Sequence, residues 1–110
     1  MNKLKKFNIC IAGLGTVGSN VIYSLIENHQ LIINKTNIDF NILGISAKNK
    51  FKKRIFDINK YQWCDDLLDL VDIPNCNILI ELVGDEKGLS YDLVKKSLKN
   101  KIHVITANKA

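Results

Sequence analysis

At 110 residues, with 46% hydrophobic and 25% charged residues, the chain has the size and composition of one small globular domain. No apolar run approaches the roughly 20 residues that span a bilayer, the amino-terminal MNKLKKFNICIAG lacks a leader pattern, and Cys10, Cys64 and Cys76 are odd in number without CxxC spacing, so neither a membrane segment nor a disulfide framework nor a zinc site is suggested and a cytoplasmic protein is expected. The net charge of +5 rests on lysine, with Arg54 the only arginine; without an aromatic RNA-binding motif or a helix-turn-helix pattern beside the basic cluster at Lys48, Lys50, Lys52, Lys53 and Arg54, no nucleic-acid partner is expected.

In chain order, Phe7, Ile9 and Ile11 alternate with Asn8, Cys10 and Ala12 and predict a buried strand. A glycine turn follows, and then Val17, Val21, Ile22, Leu25 and Ile26 recur at helical spacing over residues 16–28. Residues 29–39 read as a polar connection broken by Leu31, Ile32 and Ile33, and residues 40–47 as a second strand. Residues 51–62 show no clear period. Leu67, Leu68 and Val71 behind Asp65 and Asp66 predict a short helix over 63–71, closed by Pro74. A third strand at 77–83, a helix at 88–100 built on Leu89, Leu93, Val94 and Leu98, and a fourth strand at 102–106 complete the pattern. Strands alternating with helices predict an α/β, Rossmann-like fold: an open parallel sheet of about four strands in the order 2-1-3-4 with helices on both faces, formed by residues 1–110 as a single, incomplete NAD(P)-binding domain.

The turn between the first strand and the first helix is a GxGxxG motif in its expected context. Gly13 allows the tight turn out of the strand, Gly15 lets backbone approach a diphosphate, and Gly18 lets the helix lie close to the strand. Thr16 and Val17 open the helix, whose unpaired N–H groups and dipole favour an anion. A glycine turn without a ligand is the plainer reading, and the strand–turn–helix setting argues against it.

In an open parallel sheet a ligand lies where the strand order reverses, here between the first and third strands, with Gly13 to Gly18 on one side and Leu82 to Asp85 on the other. Val83 and Gly84 then form a cofactor wall or, more plainly, a strand end and its turn. The second strand ends in Ser46, Ala47, Lys48, Asn49 and Lys50, with none of the acidic residues that read the ribose of NAD. The missing acid and nearby lysines favour NADP over NAD, with Lys48 as phosphate partner and Ser46 as hydrogen-bond donor.

Four segments resemble the amino-terminal domain of homoserine dehydrogenases in matching order: IAGLGTVGSNV at 11–21, ILGISAKN at 42–49, ILIELVG at 78–84 and HVITANKA at 103–110. The resemblance implies NAD(P)-dependent interconversion of aspartate 4-semialdehyde and homoserine, on the route to threonine and methionine, by an enzyme whose full-length form is a homodimer. It places Gly13, Gly15, Thr16, Val17 and Gly18 at the diphosphate, Lys48 where the family often has arginine, and Thr106, Ala107, Asn108 and Lys109 on the nicotinamide and substrate side. Lys109 is the candidate catalytic residue, an ammonium able to stabilise charge on a carbonyl oxygen as hydride arrives. Glu81 in ELVG either hydrogen-bonds near the cofactor or caps a buried strand. His29 and His103 show no metal spacing and are read as structural. The family's dimerisation and substrate regions follow the TANKA segment, so the chain is expected to be an amino-terminal part that does not turn over substrate alone. A stand-alone dinucleotide-binding or sensing module and the first domain of another amino-acid dehydrogenase are the alternatives.

Overall fold

The computed structural model describes residues 4–48, 50, 54, 56–83 and 88–106. Along the chain run β1 (Lys5–Ala12), α1 (Thr16–Glu27), α2 (His29–Thr36), β2 (Ile38–Ser46), a 3₁₀ turn at Ile58–Lys60, β3 (Gln62–Trp63), a 3₁₀ segment at Leu67–Asp72, β4 (Ile78–Glu81), α3 (Leu89–Lys99) and β5 (His103–Thr106). All pairings are parallel and the sheet order is β3-β2-β1-β4-β5. The predicted order 2-1-3-4 corresponds to β2-β1-β4-β5, and the expectation of about four strands is corrected by the two-residue β3 at the edge beside β2.

Period-two alternation in β1 divides the core. Cys10 and Ala12 face Leu79, Leu70, Val71, Ile73, Leu93 and Ile102, which come from β4, the 3₁₀ segment and the α3 side. Ile9 and Ile11 face Leu14, Ile22 and Ile45, with Val21 and Leu25 of α1 packed against them. Both faces of the sheet are therefore covered, as a parallel sheet requires. The helical stripes are narrower than the sequence suggested: Ile22 and Leu93 are fully buried, whereas Ile26 at the end of α1 and Leu98 at the end of α3 are largely exposed.

Two local readings are corrected. The stretch expected as a polar connection holds α2, which follows Asn28 directly because Ile32 N–H bonds to the Asn28 carbonyl. It stops at Asn37, which adopts the left-handed conformation (φ 58°) that asparagine tolerates at a helix end. His29 Nε2 lies 2.7 Å from Asp39 Oδ1, tying α2 to the start of β2. The helix expected over 63–71 is instead β3 followed by the 3₁₀ segment, because Trp63 pairs with Ile45 and the Asp66 carboxylate accepts from Leu68 N–H at 3.0 Å, so that the segment begins only at Leu67.

At the amino edge of the sheet, asparagine side chains link three strands. The backbone N–H of Asn8 donates to Asn77 Oδ1 at 2.8 Å, its Nδ2 donates to the Asn75 carbonyl at 3.0 Å, and its Oδ1 accepts from Asn41 Nδ2 at 3.3 Å. No described helix is long and apolar enough to cross a membrane.

Candidate functional site

At the carboxyl edge the register aligns Ser46, Ala12, Glu81 and Thr106 in one row across β2, β1, β4 and β5. Residues distant in sequence are thus brought to one rim. Gly13 leaves β1 with φ 98°, its N–H held by the Ser46 carbonyl at 2.8 Å. Leu82 N–H bonds to the Ala12 carbonyl at 2.8 Å, so the exits of β2, β1 and β4 are fastened side by side.

The three glycines have different surroundings. A Cβ on Gly13 would lie 2.9 Å from the backbone carbonyl of Leu82, and one on Gly18 would lie 1.9 Å from the Gly13 carbonyl oxygen. Both are demanded by close backbone packing. Gly15 is the opposite case, since a Cβ there meets nothing within 4 Å. It is exposed, and it caps α1 without any side-chain bond. The first intrahelical bond is Ser19 N–H to the Gly15 carbonyl at 2.9 Å, which leaves the N–H groups of Thr16, Val17 and Gly18 without a helical partner. The first turn contains no acidic residue. This is open space beside free donors and a helix dipole, the arrangement that receives a phosphate group.

At the end of β2 the Ser46 side chain is fully buried, and its hydroxyl donates to the Cys64 carbonyl at 2.5 Å. Its contribution to the rim is the backbone carbonyl that holds Gly13. Lys48 is exposed just beyond. Lys50 Nζ and the Arg54 guanidinium lie 6.0 and 5.6 Å from the centre of the Trp63 ring, and Arg54 donates to the Lys50 carbonyl at 3.1 Å. Trp63 is oriented by its indole N–H, which bonds to Asp65 at 2.9 Å. Among the described residues three cations therefore follow the second strand, and Arg54 is the one that the reading of the ribose end passed over. Its sequence neighbourhood of lysines suggested only a solvated run.

On the other side of the switch point Val83 is half-buried and its N–H bonds to Glu81 Oε1 at 2.7 Å, while the Thr106 hydroxyl donates to Glu81 Oε2. Gly84, Ala107, Asn108 and Lys109 lie outside the described residues, as do the side chains of Thr16 and Val17.

The remaining candidates lie elsewhere. A groove of about 570 Å³ runs between α1 and α2, lined by Asn20, Val21, Ser24, Leu25, Asn28 and Ile32; it holds no ionisable group and is away from the carboxyl edge. Cys10 is buried, its thiol pushed up by a hydrogen bond with the Cys76 thiol and by burial, and the same contact pulls Cys76 down. Among the described residues no set of three His, Cys, Asp or Glu is arranged to hold a metal.

Comparison with known proteins agrees with this geometry. The family model described as "Homoserine dehydrogenase, NAD binding domain" matches residues 13–110. The homoserine dehydrogenase of Bacillus subtilis is 33% identical over 107 residues, covering 96% of this chain and 24% of that protein. A crystal structure of S. aureus homoserine dehydrogenase superposes with a TM-score of 0.85 at 40% identity, covering 96% of this chain and 26% of that one. The homoserine dehydrogenase structure from Thiobacillus denitrificans gives 0.79 at 25% identity over 99% of this chain. The chain spans about a quarter of the length of the curated relatives it matches. With its glycine turn, strand order and near-complete overlap in agreement, the chain belongs to the homoserine dehydrogenase family, as the NAD-binding domain of an oxidoreductase.

Proposed function

We propose that this chain binds NADP at the carboxyl edge of its sheet and supplies the cofactor side of the reversible interconversion of aspartate 4-semialdehyde and homoserine. The observation that carries the reading is the open space over Gly15, beside the uncapped amino terminus of α1. The N–H groups of residues 16–18 would hold the diphosphate, with Gly13 and Gly18 setting the shape of the turn.

Lys48, Lys50 and Arg54 support NADP over NAD, because a 2′-phosphate needs cations where NAD needs a carboxylate. An arginine held over the Trp63 ring carries a planar fork suited to phosphate. Val83 with Gly84, and Thr106 with Asn108 and Lys109, are assigned to the nicotinamide side. A bound nicotinamide supplies or accepts hydride; the role proposed for Lys109 is to stabilise the charge on the substrate oxygen. The substrate side, and the pairing of subunits expected for the full-length enzyme, are assigned to parts of the protein outside these 110 residues.

The test is titration of the purified chain with NADPH and NADH, followed by cofactor fluorescence, with Gly15→Asp as the control. Binding of NADPH that Gly15→Asp abolishes supports the assignment, and a folded chain that takes up neither nucleotide overturns it.

A further inference from the structure

Glu81 is a fully buried carboxylate at the edge of the sheet, among strand residues whose other fully buried side chains are apolar except for Ser46. Burying a carboxylate is costly, and two neutral donors offset that only in part, so an apolar side chain would serve packing better at this place. What Glu81 does that an apolar residue does not is bind two chain segments at once. Oε1 takes the N–H of Val83, two residues on in its own strand exit, and Oε2 takes the hydroxyl of Thr106, its register partner on β5.

The segment so held is fixed from further directions. Leu82 N–H is bonded to the Ala12 carbonyl, and the Leu82 backbone lies in the space that a Cβ on Gly13 would occupy. Leu82 and Val83 therefore have one position available, set by Ala12, Gly13 and Glu81 together.

We propose that Glu81 is a positioning residue: through Val83 and Thr106 it aligns the exits of β4 and β5 to receive the nicotinamide half of the dinucleotide. The proposal rests on the dinucleotide reading given above. The adenosine half would lie over the end of β2, on the far side of β1 from Glu81, so loss of the carboxylate affects one half of the ligand and spares the other.

The experiment compares two ligands on the purified chain: NADPH, which reaches both halves, and 2′,5′-adenosine diphosphate, which reaches only the adenosine half. Glu81→Leu is expected to weaken NADPH by about tenfold or more, the effect of losing a buried hydrogen-bonded anchor, and to leave 2′,5′-adenosine diphosphate within about twofold. Glu81→Gln can still accept from Val83 and donate to Thr106, and is expected to recover most of the NADPH affinity. Thr106→Val tests the same link from the other strand, and if Glu81→Leu does not fold it carries the comparison. Combined with Glu81→Leu it should lose less than the sum of the two single losses, because the two residues share a bond. Equal weakening of both ligands, or unchanged NADPH binding in Glu81→Leu, overturns the positioning role while leaving the dinucleotide reading intact. A wild-type chain that binds neither ligand overturns the dinucleotide reading, and the role of Glu81 with it.

Discussion

Gly18 lies so close to Gly13 that the first atom of any side chain on it would overlap the Gly13 carbonyl oxygen, at 1.9 Å. Because the obstacle is backbone, no rotamer change relieves it; either the turn or the whole of α1 must shift. Gly18→Ala is therefore expected to destabilise the chain by about 3 kcal/mol, the upper range for overpacking, despite the better helix propensity of alanine. Thermal or urea unfolding of the variant checks this, and a stability equal to the wild type would contradict the packing described.

Gly15 separates stability from binding. Its φ of −72° suits any residue, and a Cβ there meets no atom. Gly15→Ala should be as stable as the wild type or more so, by up to about 1 kcal/mol from the stiffer unfolded chain. Its NADPH affinity should nevertheless fall by about tenfold or more, since the methyl group occupies the path of the diphosphate. Unfolding and fluorescence titration of one sample test both halves.

Selectivity for NADPH over NADH should depend on the cations behind β2. Arg54→Gln and Lys48→Gln are each expected to cut the NADPH preference by about tenfold, the worth of one charge-assisted contact, while changing NADH binding little. The preference should also shrink as salt rises toward about 1 M, because Lys48 and Lys50 are exposed. Titrations of both nucleotides at low and high salt give the answer; a preference indifferent to salt and to both substitutions would remove these residues from the site.

Alkaline pH should weaken the fold. Burial, and then Asp69, Asp65, Asp66 and Asp72, raise the Cys64 thiol above its ordinary 9.0; burial and Asp57 raise the Tyr61 hydroxyl above 10.0. Both groups hold their protons more tightly folded than unfolded, so their contribution is complete below those ordinary values and is lost as pH climbs through the raised ones. Melting temperature should fall across that range, and Cys64→Val should flatten the earlier part of the fall. A decline identical in that variant would exclude Cys64 as a cause.

The sequence was most informative where local pattern and tertiary demand coincide. From β1 through α1, alternation, glycine spacing and helical period each depend on neighbours a few residues apart, and the observed bounds agree with the predicted ones to within about two residues. α2 escaped because nothing in it is fully buried; Ile32 and Ile33 are only half-covered, so the stripe that marks a helix is weak. β3 escaped because two residues carry no period, and Trp63 becomes a strand residue only through its pairing with Ile45. Ser46 was visible as a residue at the strand end, but the burial of its hydroxyl against Cys64 depends on that same unseen edge strand. For Glu81 the sequence left two readings open, a hydrogen bond near the cofactor or the cap of a buried strand, since its partner is defined only by the register that sets it opposite Thr106.

β1 is held at two points. At Asn8, its fourth residue, it is bonded to Asn77, Asn75 and Asn41, and at its finish the Ser46 carbonyl and Leu82 N–H fix the turn at Gly13. The strand thus acts as a spacer of set length between two anchored points. Removing one residue between them would draw the glycine turn back by roughly 3.3 Å, and would also turn the strand residues beyond the deletion to the wrong face. Within β1 only exchanges at the exposed Lys5 and Lys6 should pass without consequence.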